Sequence, residues 1–298
     1  TEAESEFQIL NSKGVRRKQR QTSVFGYAYC LAKNGEESRM AGEGHFTRVA
    51  KEFKPAEVAR KAALKAVRKL GAEPPETGMY PVVIDAEVAA EFFGLFSDYF
   101  SAKSVYEKRS LFGGEIGKKI ASPAIKIFDD PFIANGTGTR SFDSEGAPSQ
   151  RTEIINDGEL KNYLTNSVYA KRMSLPMTAN ASRGARSELD IDVSNLVIEP
   201  GKRTRDDLLA SQKRVIYITD FTGYHSGFQS GSGDFSFQSE GELWENGKFV
   251  KPLCSFVTSG NIRQLLMDVL EVSSRVPAPT GSVLAPDILV RELSVAGK

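Results

Sequence analysis

Three dipeptides constrain the fold of this chain more than anything else in it: Asn34-Gly35, Asp157-Gly158 and Asn246-Gly247. Asn or Asp followed by Gly tolerates the positive φ angles of a tight two-residue loop, so each dipeptide between strand-like runs predicts an antiparallel hairpin. The first joins strands expected over 23–32 and 37–48, turning at Lys33-Asn34-Gly35. The second closes "TEIINDGELKNYLTN" and the third "GELWENGKFVKPLCSFV". These last two turns resemble each other, which fits either an internal duplication or a common turn solution.

Helical periods punctuate the hairpins. In "KPAEVARKAALKAVRKLG", Pro55 opens the first turn, Val58, Ala62, Ala63, Ala66, Val67 and Leu70 share a face, and Gly71 stops the helix. "AEPPETG" (72–78) is the best internal boundary. The strand "YPVVI" then runs into a helix capped by Asp85. Val88, Phe92, Phe96 and Tyr99 form its apolar row, and Glu87, Glu91, Gly94 and Asp98 a separate stripe. "SGNIRQLLMDVLEV" predicts a helix with Ile262, Leu265, Leu266, Val269 and Leu270 on one side, and "AIKIF" and "DILVREL" predict strands. Strands outnumber helices and come mostly as hairpins. The expected class is therefore α+β: mixed, hairpin-rich antiparallel sheets with packed helices, in two subdomains covering 1–75 and 76–298.

Composition removes several functions. Lys plus Arg is 39 against Asp plus Glu 38, so charge gives no drive toward nucleic acid or an anionic membrane. No apolar run reaches the roughly 18–20 residues of a membrane helix, and no secretory leader precedes the first hairpin. Cys30 and Cys254 suit a reducing cytoplasm. A catalytic zinc wants three protein ligands and an open position. The chain has only His45 and His225, and no two of its His and Cys residues lie within five positions of each other. One metal arrangement stays open, a dispersed site of His45, His225, Cys254 and a carboxylate. No serine has a G-x-S-x-G elbow, the cysteines read as buried thiols, and Gly113-Gly114 with Gly117-Lys118 does not complete a phosphate loop.

Three stretches keep a functional reading beside a bland one. The basic run "KGVRRKQR" (13–20) could touch phosphate but reads better as a strand edge guarded by charge. Asp143 and Glu145 in "FDSEGAPSQRTE" could do acid–base work but read better as a self-capping turn. "TGYHSGFQSGSGDFSFQSEG" (222–241) mixes Gly, Ser and Gln with aromatics. It is read either as a surface loop or as a peptide-cavity lining carried by Tyr224, His225, Phe228, Gln229 and Phe235.

Taken in order, "NSKGV", "GEGHF", "YPVVIDAEVAAEFFGLF", "SLFGGEIGKKIASPAIKIFDDP", "SFDSEGAPSQRTEIINDGELKNYL", "FTGYHSGFQSGSGDFS", "GELWENGKF" and "SGNIRQLL" resemble the TldD/PmbA family, and its PmbA (TldE) branch in particular. The resemblance implies a C-terminal domain of that family over 76–298, with 1–75 as the tail end of a preceding α/β domain. The chain starts without Met, which leads us to expect a shortened or processed form. The resemblance further implies a cytoplasmic protease built from two related subunits that cleaves unstructured peptides inside a cavity. The TldD-type subunit carries zinc on an H-E-x-x-x-H helix, and the PmbA-type subunit lacks those ligands. The family's older description as a modulator of DNA gyrase reflects processing of peptides that act on gyrase. The zinc helix corresponds to the stretch with Ala90 and Leu95 at the histidine positions and Glu91 at the glutamate. This implies no cofactor and no catalytic residue in this chain, a TldD-type zinc metallopeptidase subunit and an unstructured peptide as partners, and neither nucleic acid nor membrane. A homodimer, an autonomous metallopeptidase and a direct gyrase modulator stay open as alternatives.

Overall fold

The computed structural model describes residues 1–184 and 186–298. Its first layer is a three-stranded antiparallel sheet of β1 (Glu2–Leu10), β2 (Arg16–Asn34) and β3 (Glu37–Thr47), with β2 central. β2 pairs with β1 over its first half and with β3 over its second. The sequence reading missed β1, which is dominated by charged and polar side chains, and took the strand edge at 13–20 and the strand at 23–32 as separate where β2 runs through both. The basic run lies on the β1–β2 ribbon, where Lys18 meets Glu6 at 2.8 Å and Arg20 meets Glu4 at 2.9 Å. The first hairpin turns at Gly35-Glu36, one residue later than expected, with positive φ at Gly35 alone. That pattern suits a loop with Gly in its first position.

Helix α1 (Pro55–Arg68) covers one face of this sheet. Val58, Ala62 and Ala66 make the buried row, and their small side chains let the helix lie close. Val67 is exposed, contrary to the expected face. With contact made by the 58/62/66 row, position 67 falls 100° further round the helix.

The connector is pinned to the second layer by Glu73 N–H to Pro252 O and Cys254 N–H to Glu73 O. β4 (Gly78–Ile84) leads into α2 (Ala86–Leu95), a 3₁₀ turn and α3 (Ala102–Tyr106). β5 (Ile127–Asp129), β6 (Thr152–Asn156) and β7 (Glu159–Leu160) belong to a five-stranded sheet. α4 (Ser167–Met173) and the small pair β8 (Ala181–Ser182) and β9 (Asp190–Ile191) precede its fourth strand, β10 (Leu196–Ile198). α5 (Arg205–Ala210) then leads to β11 (Arg214–Thr222), α6 (Tyr224–Gly227), β12 (Phe228–Gln229), β13 (Asp234–Glu245) and β14 (Lys248–Asn261). α7 (Ile262–Asp268), β15 (Val269–Val272), β16 (Val283–Leu284), which joins β10, and β17 (Ile288–Ala296) complete the chain. Both later hairpins turn as expected, with Asp157-Gly158 and Asn246-Gly247 all at positive φ.

The largest sheet closes on itself. β11 pairs with β4, β4 with β17, β17 with β14, β14 with β13, and β13 returns to β11. Closure leaves these strands few free edges, and alternation divides their side chains. Val82, Ile84, Ile216 and Ile218 face the main core, while Val83, Val215, Tyr217 and Leu289 face a smaller one under α5. That is why "PVVI" reads as continuous apolar sequence: both faces are covered.

Two expected elements end differently. Helix α7 stops at Asp268, and Val269 and Leu270 belong to β15, whose pairing with β17 overrides the helical period. Of the stretch read as a loop over 222–241, residues from Asp234 onward form β13, with Phe235 and Phe237 in the core. The Gly/Ser/Gln composition hid a two-residue period.

Candidate functional site

Between the first layer and the closed sheet lies a cavity of about 800 Å³. One wall is an aromatic ladder on β2. Phe25, Tyr27 and Tyr29 point the same way at two-residue spacing, with ring centroids 6.0 Å and 5.6 Å apart. The opposite face of the strand is taken by α1, so these rings face away from it; Tyr27 and Tyr29 stay 67% exposed. Register explains their posture. Tyr29 pairs with Gly42 and Tyr27 with Gly44. A Cβ at residue 42 would lie 2.6 Å from the Tyr29 ring, so the glycine leaves room for the ring to lie across its neighbour.

The α1 end supplies three cations, each paired across to the second layer or the sheet. Lys65 bridges Glu43 at 2.7 Å and Glu87 at 2.5 Å. Arg68 meets Glu242 at 3.0 Å, and Lys69 meets Asp220 at 3.2 Å and Glu240 at 2.5 Å. Burial alone would lower the Lys65 ammonium's pKa, but Glu87 and Glu43 outweigh it and hold the group charged, above the usual lysine range.

At the deep end, the sequence Ile84-Asp85-Ala86 turns from strand to helix, and the Asp85 carboxylate accepts the Glu87 N–H as N-cap of α2. Tyr217 on β11 donates its hydroxyl to the same carboxylate. Arg275 Nη1 donates to Asp85 Oδ2 at 3.1 Å and to Asp287 Oδ1 at 3.0 Å. Asp287 is wholly buried and also accepts the Ala86 N–H and the Ser273 hydroxyl. The guanidinium of Arg205 lies 5.5 Å from the centre of the Tyr217 ring. Burial would raise the Asp85 carboxyl's pKa, but Arg275, Tyr217 and the helix N–H reverse it and the net shift is downward. Burial dominates at Asp287, whose pKa is raised, and at Tyr217, whose hydroxyl stays protonated.

Of the candidate cavity-lining and zinc-helix positions read from the sequence, the cavity takes one. Glu91 lines it from the outer face of α2, where burial of its surroundings raises its carboxyl pKa. The Tyr224 hydroxyl lies beside Glu91; its burial raises its pKa, and the neighbouring Glu91 raises it further. Ala90 and Leu95 pack against the core. So do Tyr224, stacked edge-on against Phe237, and Phe228. Phe235 is a core residue 5.1 Å from Phe92, while His225 and Gln229 are exposed outside the cavity. Asp143 is buried in a turn and accepts the Glu145, Ala147 and Ala181 N–H groups.

Sequence reasoning missed Tyr27, Tyr29, Lys65, Asp85's carboxylate partners, Arg205 and Arg275. Only the aromatic ladder left a signal: "VFGYAYC" alternates rings with small residues, as a strand covered on one face and open on the other would.

A zinc ion does not fit the residues present. Glu87, Val88 and Glu91 are what α2 turns to the cavity, and the neighbouring histidine positions implied by the resemblance hold core-packing Ala90 and Leu95. The dispersed set does not assemble either. His45 packs on Phe53, His225 is exposed on α6, and Cys254 Sγ points at the Ala72 carbonyl beside Arg39. Among the described residues no three His, Cys, Asp or Glu side chains form a group able to hold a metal.

Comparison with known proteins matches both layers. Residues 77–297 match the profile of the PmbA/TldA metallopeptidase C-terminal domain, and residues 1–70 that of the central domain. A metalloprotease PmbA homolog of Buchnera aphidicola is 25% identical over 96% of this chain and 62% of its own length. A metalloprotease TldD homolog of Haemophilus influenzae is 32% identical over 73% of this chain and 45% of its own. The chain thus spans about 60% or less of these relatives. Among solved structures, a Thermotoga maritima protein described as a candidate modulator of a DNA gyrase superposes with a TM-score of 0.94 at 27% identity, covering 99% of this chain and 67% of the other. TldE from Thermococcus kodakarensis gives 0.86 at 23% identity, over 99% and 68%, a likeness of fold. Among the described residues no helix is long and apolar enough to cross a membrane.

Proposed function

The chain belongs to the PmbA/TldD metallopeptidase family, and from that premise we propose that it is the non-catalytic, TldE-type half of a two-subunit peptidase. Its cavity holds an unstructured peptide while a TldD-type subunit supplies the zinc and the hydrolysis. One observation carries this reading. α2 turns two carboxylates, Glu87 and Glu91, to the cavity, and the positions flanking Glu91 that would hold histidine pack into the core. The positions beside Glu91 thus carry no ligand for a metal whose bound water the glutamate of a zinc peptidase would deprotonate. The aromatic ladder and the charge-paired walls suit an extended chain, offering ring faces and polar edges along one groove. We place the boundary between the two units in the 72–78 connector, between residues 75 and 76, and the assembly in the cytoplasm as a heterodimer, with a homodimer where the partner is missing.

The test mixes purified chain, a TldD-type partner and an unstructured peptide. The pair should cleave the peptide, chelator should stop it, and this chain alone should do nothing. Chelator-sensitive cleavage by this chain alone, with a bound equivalent of metal, would overturn the assignment.

A further inference from the structure

We infer that Arg205 and Arg275, which line the cavity together with Tyr217, form a subsite for a single free carboxylate, and that the group it takes is the C-terminus of the bound peptide. The inference rests on the peptide-holding reading and adds a direction to it: the peptide enters carboxylate end first.

Both guanidinium groups are under-used. Arg275 donates through Nη1 alone, to Asp85 and Asp287, and among the described residues its other N–H groups make no hydrogen bond. Arg205 donates from Nε and Nη2 to one oxygen of its own neighbour Asp206, whose side chain is 72% exposed. An ion pair that open to water is weak and readily exchanged. Both arginines line the cavity beside the Tyr217 ring and the first turn of α2. An arginine fork presents two parallel N–H donors, a geometry that a carboxylate matches with both oxygens.

Charge counting selects the ligand. At this end Arg275 lies between the buried carboxylates of Asp85 and Asp287, and Arg205 pairs with the exposed Asp206, so the cluster holds no surplus positive charge. A carboxylate therefore binds by displacing Asp206 from Arg205, one monoanion for another, whereas a dianionic phosphate would add a further negative charge. Among the other acidic groups of the cavity, Glu43 and Glu87 share Lys65, Asp220 pairs with Lys69 and Glu242 with Arg68, while Glu91 lies in no ion pair among the described residues. These walls carry more carboxylates than cations, so a single negative end is better placed at the arginines.

The experiment compares one unstructured decapeptide as free acid and as C-terminal amide, by calorimetry with the whole chain. The free acid should bind about tenfold more tightly, a difference of about 1.4 kcal/mol. Arg205→Gln should abolish the difference, while Arg203→Gln, a surface arginine paired with Glu271, should keep it. Equal affinity of acid and amide overturns the subsite and leaves the peptide-holding reading standing. If neither decapeptide binds, the peptide-holding reading fails, and N-acetylglycine then decides the subsite alone. Arginine side-chain NMR shifts that saturate with it in the wild type and vanish in Arg205→Gln support the assignment. No shift at tens of millimolar, or equal displacement by inorganic phosphate, overturns it.

Discussion

Replacing Phe92 tests whether α2 is packing or chemistry. Phe92 is fully buried, with ring centroids 5.1 Å from Phe235, 5.7 Å from Phe96 and 6.1 Å from both Phe221 and Phe237. A buried Phe removes about 200 Å² from water, which at roughly 25 cal/mol/Å² is about 5 kcal/mol. Alanine keeps about 1 kcal/mol of that, so Phe92→Ala should cost about 4 kcal/mol, within the usual range of about 3–5 for such truncations. Four edge-on or tilted partners argue for the upper half of the range, because rings held by one another collapse poorly into a void. With a urea m-value of about 3 kcal/mol/M, the midpoint should fall by about 1.3 M. Phe92→Leu should recover most of the loss. Glu91→Ala, one residue away on the cavity face, should move the midpoint by less than about 0.2 M. A Phe92→Ala shift below about 0.4 M, or one matched by Glu91→Ala, would refute the view that this helix serves as a packed scaffold.

Other outcomes follow from the same geometry. Gly158→Ala should destabilise by more than about 2 kcal/mol in thermal unfolding, since Gly158 has φ of 78° and an added Cβ would meet the Ala121 carbonyl. Gly114→Ala, at φ of 72° with open space around it, should cost only about 1 kcal/mol. The lowered pKa of Asp85 makes its contribution present above the unfolded value near 3.9 and lost as pH falls through the folded one. Stability of Asp85→Asn measured against wild type should therefore differ most near neutrality and converge below about pH 4. Glu91 has the opposite sign: its raised pKa means stability is present in acid and lost as pH rises through the folded value, so Glu91→Gln should be slightly more stable than wild type at pH 7 and not at pH 4. A double-mutant cycle of Lys65→Met and Glu87→Gln should show a coupling of about 0.5–1 kcal/mol that shrinks in high salt.

Local chemistry was legible from the sequence. Asp157-Gly158 and Asn246-Gly247 turn where expected because the positive φ angles they need are a property of two residues. Asp85 caps α2 and Pro55 opens α1 for the same reason. The buried rows of α1 and α2 were legible too, but the sequence alone could not decide the positions whose cover comes from distant segments. Whether Val67 is buried, whether Val269 continues a helix, and whether Phe235 lines a loop or fills a core are settled by which neighbour arrives, and closure of the sheet through β11 and β13 brings those neighbours from across the chain. The cavity is the strongest case. Tyr27, Lys65, Glu91, Arg205, Tyr217 and Arg275 lie up to 248 positions apart, and their local sequences are those of an ordinary strand, helix or turn. Hydrophobic burial places them together, and only then do two arginines, a tyrosine and a capped helix acquire a shared electrostatic purpose.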